Sequence, residues 1–325
     1  MLTKHPHATG LPGPKVAIIG AGAAGLMAAR ILTASGLSVT LIDKSRGLGG
    51  RLATRRVESF AFDHGCPSVH VSDPADLALM ADLTAAGTAV AESEGKYLGL
   101  PGMSSLLKPL AEGLDLHRGV RIAGVRREPA GWYLRPDTAD DAEMGPFDWL
   151  LVAAPAPQAA DLLAGYPDVS TQISKAVMAP RWTLMVVPDG DLNQESERIQ
   201  FEDEVLDFAI RNDTKPGRGG PESWVVHARQ DWSGANLEIS SDSARDRLLA
   251  GFRAHIPQGY PRYVTAHRWR FAEVASPLGG PYVIDPDLRL MAGGDWCLGP
   301  LVTDALASGR AMAAQVLAFS EPALR

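Results

Sequence analysis

The run Gly20-Ala21-Gly22-Ala23-Ala24-Gly25 constrains this chain more than any other feature. It follows a continuous apolar stretch at 16–19, as a strand buried on both faces would, and it opens a helical-looking segment at 25–35. The run SVTLID, ending at Asp43, reads as a second buried strand. Strand, glycine turn, helix and strand within about thirty residues make a βαβ unit, whose right-handed crossover sets the two strands parallel. Each glycine in such a turn has a steric task. Gly20 permits the tight turn, Gly22 lets a pyrophosphate approach the backbone, and Gly25 lets helix and strand pack closely. The helix N-terminus adds oriented N–H groups and the positive end of the dipole. Asp43 stands near the roughly 20-residue spacing of a carboxylate that accepts a ribose hydroxyl. A glycine-tolerant packing turn is the competing reading, and the strand, the helix and Asp43 together weigh against it.

The next segment extends the same chemistry. Lys44, Arg46, Arg51, Arg55 and Arg56 fall within thirteen positions that hold no acid, around Gly49 and Gly50. The chain as a whole carries a formal charge of -7, so this concentration calls for a local anion or for solvent. For Arg46 and Arg51 the glycine frame favours a diphosphate. The acidic balance also argues against nucleic acid as a partner. Cys66 and Cys297 are the only cysteines, far apart and outside any CxxC, so neither a disulfide framework nor a metal site is expected. The apolar stretch 16–29 is too short for a membrane span. A cytoplasmic protein with no membrane partner is the expectation.

Beyond the βαβ unit, 1–14 reads as a tail, 73–86 and 102–112 as helices, and 120–127, 131–135 and 147–155 as three strands of a meander. The Gly/Pro-marked stretch 189–220 reads as loops, 223–228 and 261–269 as strands, and 243–255 and 303–319 as helices. Gly293-Gly294-Asp295-Trp296-Cys297-Leu298-Gly299 follows a strand-like run and precedes the last helix. Such a turn can set Asp295 against a polyol and aim the helix start at a ring, although a helix cap would also favour Asp there.

In order, GxGxxG, DKSRGLGGR, FDHG, GLPGMSSLLKPLA, FDWLLVAAPAPQA and GGDWC resemble the flavin-dependent amine-oxidase superfamily. IRNDTKPGR, WVVHARQDWS, AHRWRFA and GGDWCLG resemble its renalase-like branch, above all the bacterial members. The likeness covers nearly the whole chain after Lys15. It implies an α/β fold: a Rossmann-type FAD-binding domain (parallel sheet with a β-meander) from 15–72, 99–158 and 266–325, and an interleaved α+β substrate domain with a mostly antiparallel sheet from 73–98 and 159–265. It implies non-covalent FAD held by Gly20, Gly22, Ala23, Ala24, Gly25, Asp43, Lys44, Arg46, Gly49, Gly50, Arg51, Asp63, Gly294, Asp295, Leu301 and Val302. The implied reaction is oxidation of 2- or 6-dihydro-NAD(P) isomers, with hydride passing to flavin N5 and molecular oxygen as acceptor.

Hydride transfer needs positioning more than a base, which agrees with the lack of a nucleophile–base pattern. The chain departs from the branch at 63–70 and at Leu301, Thr303 and Leu306, near the expected ring pocket. An amine or carotenoid-like substrate, or a flavin-binding protein without efficient turnover, are the other readings. His64, Asn212, His227, Trp269 and Trp296 are the candidate pocket residues. For His227, His267 and the tryptophans, core packing competes with a functional role. Asn212, Lys215 and Arg218 read as a loop that either meets an anionic substrate or is solvated.

Overall fold

A computed structural model describes residues 13–138, 142–257 and 259–320, so residues 1–12 of the expected tail lie outside the described residues. Six strands form the central sheet in the order Val283–Asp285, Leu290–Ala292, Trp149–Val152, Lys15–Ile19, Ser38–Asp43 and Asp115–Arg118. All neighbours run parallel except Val283–Asp285 against Leu290–Ala292. The inner strands at 16–19, 149–152 and 290–292 are apolar because both faces are covered, whereas the edge strand Asp115–Arg118 is polar and largely exposed. Val16, Ile18, Leu41 and Leu151 face a core shared with the helices Ala23–Ala34 and Val302–Ser320. Ala17, Ile42, Leu150 and Val152 face a second core, closed by Trp132 and Leu134 of a three-stranded meander and by Ala159 and Ile173 of two short helices.

The other large sheet has five antiparallel strands, ordered Arg198–Gln200, Leu206–Arg211, Trp224–Ala228, Val177–Val187 and Tyr263–Ser276. Leu184, Val226 and Ala266 pack on one face against Leu248 and Phe252 of the helix Ser241–His255. Side chains alternate across a strand, so Thr183, His227 and His267 stand on the opposite face. A hairpin of Thr54–Val57 and Phe60–Asp63 adds Phe62 to Met185 and Val225 on that face.

The structure departs from expectation in three places. The stretch 102–112 is not a helix but two 3-10 turns, Met103–Ser105 and Lys108–Ala111. Pro109 lacks the N–H an α-helix needs, and the N–H groups of Met103 and Ser104 are taken by Asp63 and Thr54. The run 147–155 is not one strand. It breaks at Asp148, whose carboxylate accepts from the N–H of Lys15 at 2.7 Å, so Met144–Phe147 ends the meander and Trp149–Val152 enters the central sheet. The stretch 189–220 holds two strands, where Asp207 and Arg211 among the apolar residues mask the alternation. The expected domain boundaries also cross elements: Met80, Leu83 and Leu98 of 73–98 pack in the first helix's core, and Tyr263–Ser276 spans the boundary at 266.

Candidate functional site

The glycine turn sits where two parallel strands meet the first helix. Gly20 has φ +111°, and a Cβ there would stand 2.6 Å from the Ala153 carbonyl oxygen. The helix Ala23–Ala34 starts without a side-chain cap and without an acid in its first turn. Its leading N–H groups have no intrahelical acceptor, and Gly22, Ala23 and Ala24 line a cavity of about 1400 Å³. An uncapped helix start on a cavity suits an anion. Asp43 and Lys44 line the same space. The Asp43 carboxylate accepts from the N–H groups of Ala21 and Ser45, each at 2.6 Å. Gly49 folds back so that its N–H donates to the Ala21 carbonyl at 3.1 Å, which brings Gly49, Gly50 and Arg51 to the cavity.

The C-terminal motif joins this wall. Arg51 and Asp295 form a two-point ion pair with both contacts at 2.6 Å, and the same cavity is lined by Gly294, ahead of the 3-10 turn Asp295–Cys297, and by Leu301 and Val302 at the start of the last helix. These residues fit a dinucleotide: the chain offers unsatisfied N–H groups, a ribose-side carboxylate and a small-residue turn along one continuous cavity.

The facing wall is built from rings. His64 stacks on Trp269 with centroids 5.2 Å apart, and the Trp269 indole N–H donates to the His64 carbonyl at 2.9 Å. His267 meets His64 edge-on at 4.9 Å, and His227 stacks on Phe208 at 4.4 Å. Arg181 lies below them, paired with Asp207 and Glu273.

Burial holds the imidazoles neutral. His64 is shifted down, His267 falls to about 4 through burial with His64 and Arg55 nearby, and His227 lies well below the ordinary value through burial with Arg181 nearby. As pH falls below about 6.5, the unfolded chain therefore takes up protons before the folded one. The stability these groups confer is present above that pH and is lost on descent toward the folded value of His267, about 4. The melting temperature is expected to drop between about pH 7 and pH 5, and to drop less in His267→Gln. A profile identical in the two proteins would contradict this.

Not every expected residue reaches the cavity. Gly25 packs behind the turn, where a Cβ would fall 1.8 Å from the Gly20 oxygen. Arg46 is exposed and off the wall. Trp296 is fully buried in the second core with its N–H on the Ala154 carbonyl at 3.0 Å, so it is a packing residue. Asp63 and Asn212 lie behind the wall. Lys215 and Arg218 are turned inward too, and the anion they meet is Asp63, at 2.9 and 2.5 Å. Sequence reasoning missed Arg181 and Phe208 as wall residues, because neither lies within a motif.

A parallel βαβ unit whose glycine turn opens on a cavity above the roughly 300–1,000 Å³ of an ordinary small-molecule site defines a dinucleotide-binding protein with room for a second ligand. The chain belongs to the flavin-containing amine oxidoreductase family: the family model "Flavin containing amine oxidoreductase" matches residues 69–317, and that of an NAD(P)-binding Rossmann-like domain matches residues 18–83. Flavin is the cofactor of this family of FAD-dependent oxidoreductases.

Among solved structures, the chain resembles an Exiguobacterium protein described as a protoporphyrinogen oxidase, at TM-score 0.69 and 13% identity over 94% of this chain and 99% of that one. It also resembles a putrescine oxidase variant, at TM-score 0.71 and 14% identity over 95% and 100%. At those identities the likeness is one of fold. A curated relative, 4,4'-diapophytoene desaturase from Staphylococcus haemolyticus, is 41% identical over 58 residues, which span 18% of this chain and 12% of the desaturase. Among the described residues, no helix is long and apolar enough to cross a membrane.

Proposed function

We infer that the protein is a renalase-like FAD-dependent oxidase that takes a hydride from a planar, uncharged ring carrying an anionic tail, with 2- or 6-dihydro-NAD(P) isomers as the candidate substrates. The observation that carries this reading is the character of the wall opposite the dinucleotide motifs. It is made of Trp269, Phe208, neutral imidazoles and Arg181, and its one carboxylate among the described residues, Glu273, is already paired with that Arg181 at 2.9 Å. A protonated amine would find no free anion there.

At the exposed edge, Arg55 and Arg56 make no ion pair among the described residues. Arg55 is near enough to lower the pKa of both His64 and His267. Phosphates suit that edge.

In this reading Gly22, Ala23, Ala24, Asp43, Gly49 and Gly50 hold the nucleotide half of FAD, and Gly294, Asp295, Leu301 and Val302 adjoin the ring. Flavin, when bound, would supply the hydride-accepting N5 and the route by which the electron pair reaches molecular oxygen to give hydrogen peroxide. The chain's part is positioning. His64 and Trp269 stack the donor ring. Neutral imidazoles and the Trp269 face tolerate the pyridinium charge that appears as the hydride leaves.

Anaerobic mixing with each dihydro isomer is expected to bleach the flavin absorbance rapidly, and putrescine to leave it unchanged. Bleaching by the amine alone would replace this reading with an amine oxidase. Yellow protein inert to every reductant would leave a flavin-binding protein without turnover.

A further inference from the structure

Buried polar groups are nearly always hydrogen-bonded, which makes the cavity-facing side of the five-stranded sheet unusual. Six buried side-chain polar atoms lack a partner among the described residues, and four of them stand together: both ring nitrogens of His227, the Thr183 hydroxyl and the Arg181 Nε. Cross-strand register explains the grouping. Thr183 pairs with His227 on one side and with His267 on the other, and Arg181, two residues earlier on the same face, pairs with Trp269. His227 lies on the cavity wall and is 4% exposed. The next row along this face is apolar, with Met185 and Val225 under Phe62. His227 and Arg181 line the cavity, and Thr183, fully buried, stands between His227 and His267 in the register without lining it, so the row's unmet hydrogen-bonding capacity lies along the cavity's sheet wall.

The chemistry of the row selects its occupant. A neutral imidazole offers one donor and one acceptor, the hydroxyl offers either, and the guanidinium Nε–H donates. Arg181 already faces two carboxylates, Asp207 at 2.8 Å and Glu273 at 2.9 Å, so a ligand carboxylate would bring a third anion to one cation. Among the described residues, no three metal-ligating side chains gather to hold a metal.

We propose that His227 and the Nε of Arg181, with Thr183 opposite His227 in the register, form a recognition subsite for an uncharged planar group that both donates and accepts hydrogen bonds, of the carboxamide class. The subsite rests on the functional reading above in one respect: there it takes the ring's substituent and sets the ring against the flavin. It commits to no reaction, because the same pairing would recognise a carboxamide on any planar ring.

The test uses the flavin-loaded protein titrated with nicotinamide, and with nicotinate as the carboxylate on the same ring, followed by calorimetry and by perturbation of the flavin spectrum. Nicotinamide is expected to bind more tightly than nicotinate by about tenfold or more, the scale of one or two lost buried hydrogen bonds. His227→Phe keeps a ring of similar bulk and is expected to abolish the preference. His227→Gln restores a donor–acceptor pair and is expected to recover part of it. If His227→Phe fails to fold, Thr183→Val removes one hydroxyl with little change of shape and reads the same preference.

Equal binding of the two ligands, or a preference untouched by these substitutions, overturns the proposal and leaves ordered water as the row's occupant. Carboxamide preference without reduction by either dihydro isomer keeps the subsite and rejects the substrate. Reduction without the preference keeps the substrate and rejects the subsite.

Discussion

Asp63→Ala is expected to cost about 3–5 kcal/mol of stability, the scale of breaking a buried ion pair by removing one partner. The carboxylate is 1% exposed and accepts four hydrogen bonds. One oxygen takes the Thr54 hydroxyl at 2.7 Å and the Met103 N–H at 3.0 Å, and the other takes Lys215 at 2.9 Å and Arg218 at 2.5 Å. Burial alone would raise its pKa, but Lys215 and Arg218 more than offset that and hold it below the usual value. Without Asp63, two buried cations would lose their shared anion.

The cluster also ties the sides of the cavity together. Lys215 donates to the Pro67 carbonyl at 3.1 Å, and Asn212 accepts from the Asp63 N–H at 2.9 Å. Denaturant unfolding of the flavin-loaded protein measures the loss. Adding Lys215→Met to Asp63→Ala is expected to return part of it, since one unpaired charge goes. Wild-type stability in Asp63→Ala would refute the account.

The second large effect concerns the cofactor. A Cβ at Gly22 meets no protein atom within 4 Å, and the residue already holds φ -77°, which any side chain accepts. Gly22→Val should therefore fold, yet its side chain projects where the pyrophosphate must approach. An overpacked contact of about 1–3 kcal/mol weakens flavin binding by roughly 10–100-fold. The protein is expected to purify colourless, with the melting temperature of flavin-stripped wild type. Gly25→Val forms the contrast. Its Cβ would fall 1.8 Å from the Gly20 oxygen, so the clash is with the chain's own backbone and folding itself is expected to fail. Full flavin occupancy in Gly22→Val would remove the pyrophosphate from this turn.

The difference between these two glycines shows how much was legible. Both were visible in one hexapeptide, and the roles of Gly20, Gly22 and Gly25 follow from local spacing alone. Asp43, the segment Gly49 to Arg51 and the motif around Asp295, each singled out from local sequence, lie on the same cavity. Trp296 shows the limit: one position from Asp295 in the same motif, it turns into the core because the Ala154 carbonyl, 142 residues away, takes its N–H. Asn212, Lys215 and Arg218 read as a loop that meets an anionic substrate or is solvated, and Lys215 and Arg218 instead turn inward onto a buried anion of the chain itself. The anion proved to be Asp63, which no local pattern could pair with them.

The amino-acid sequence by itself determined the parallel βαβ unit, the dinucleotide chemistry and the family likeness, because those depend on spacings within one turn or one crossover, where backbone sterics act between near neighbours. Tertiary structure alone decided the ring-rich wall that faces the glycine turn. Thr183, Phe208, His227 and His267 come from four strands whose register is set by long-range pairing and by the apolar face beneath the helix Ser241–His255. A shift of one residue in any of those strands would turn its member of the row into that core, and nothing in the local sequence around a lone His or Thr records which partner will stand opposite.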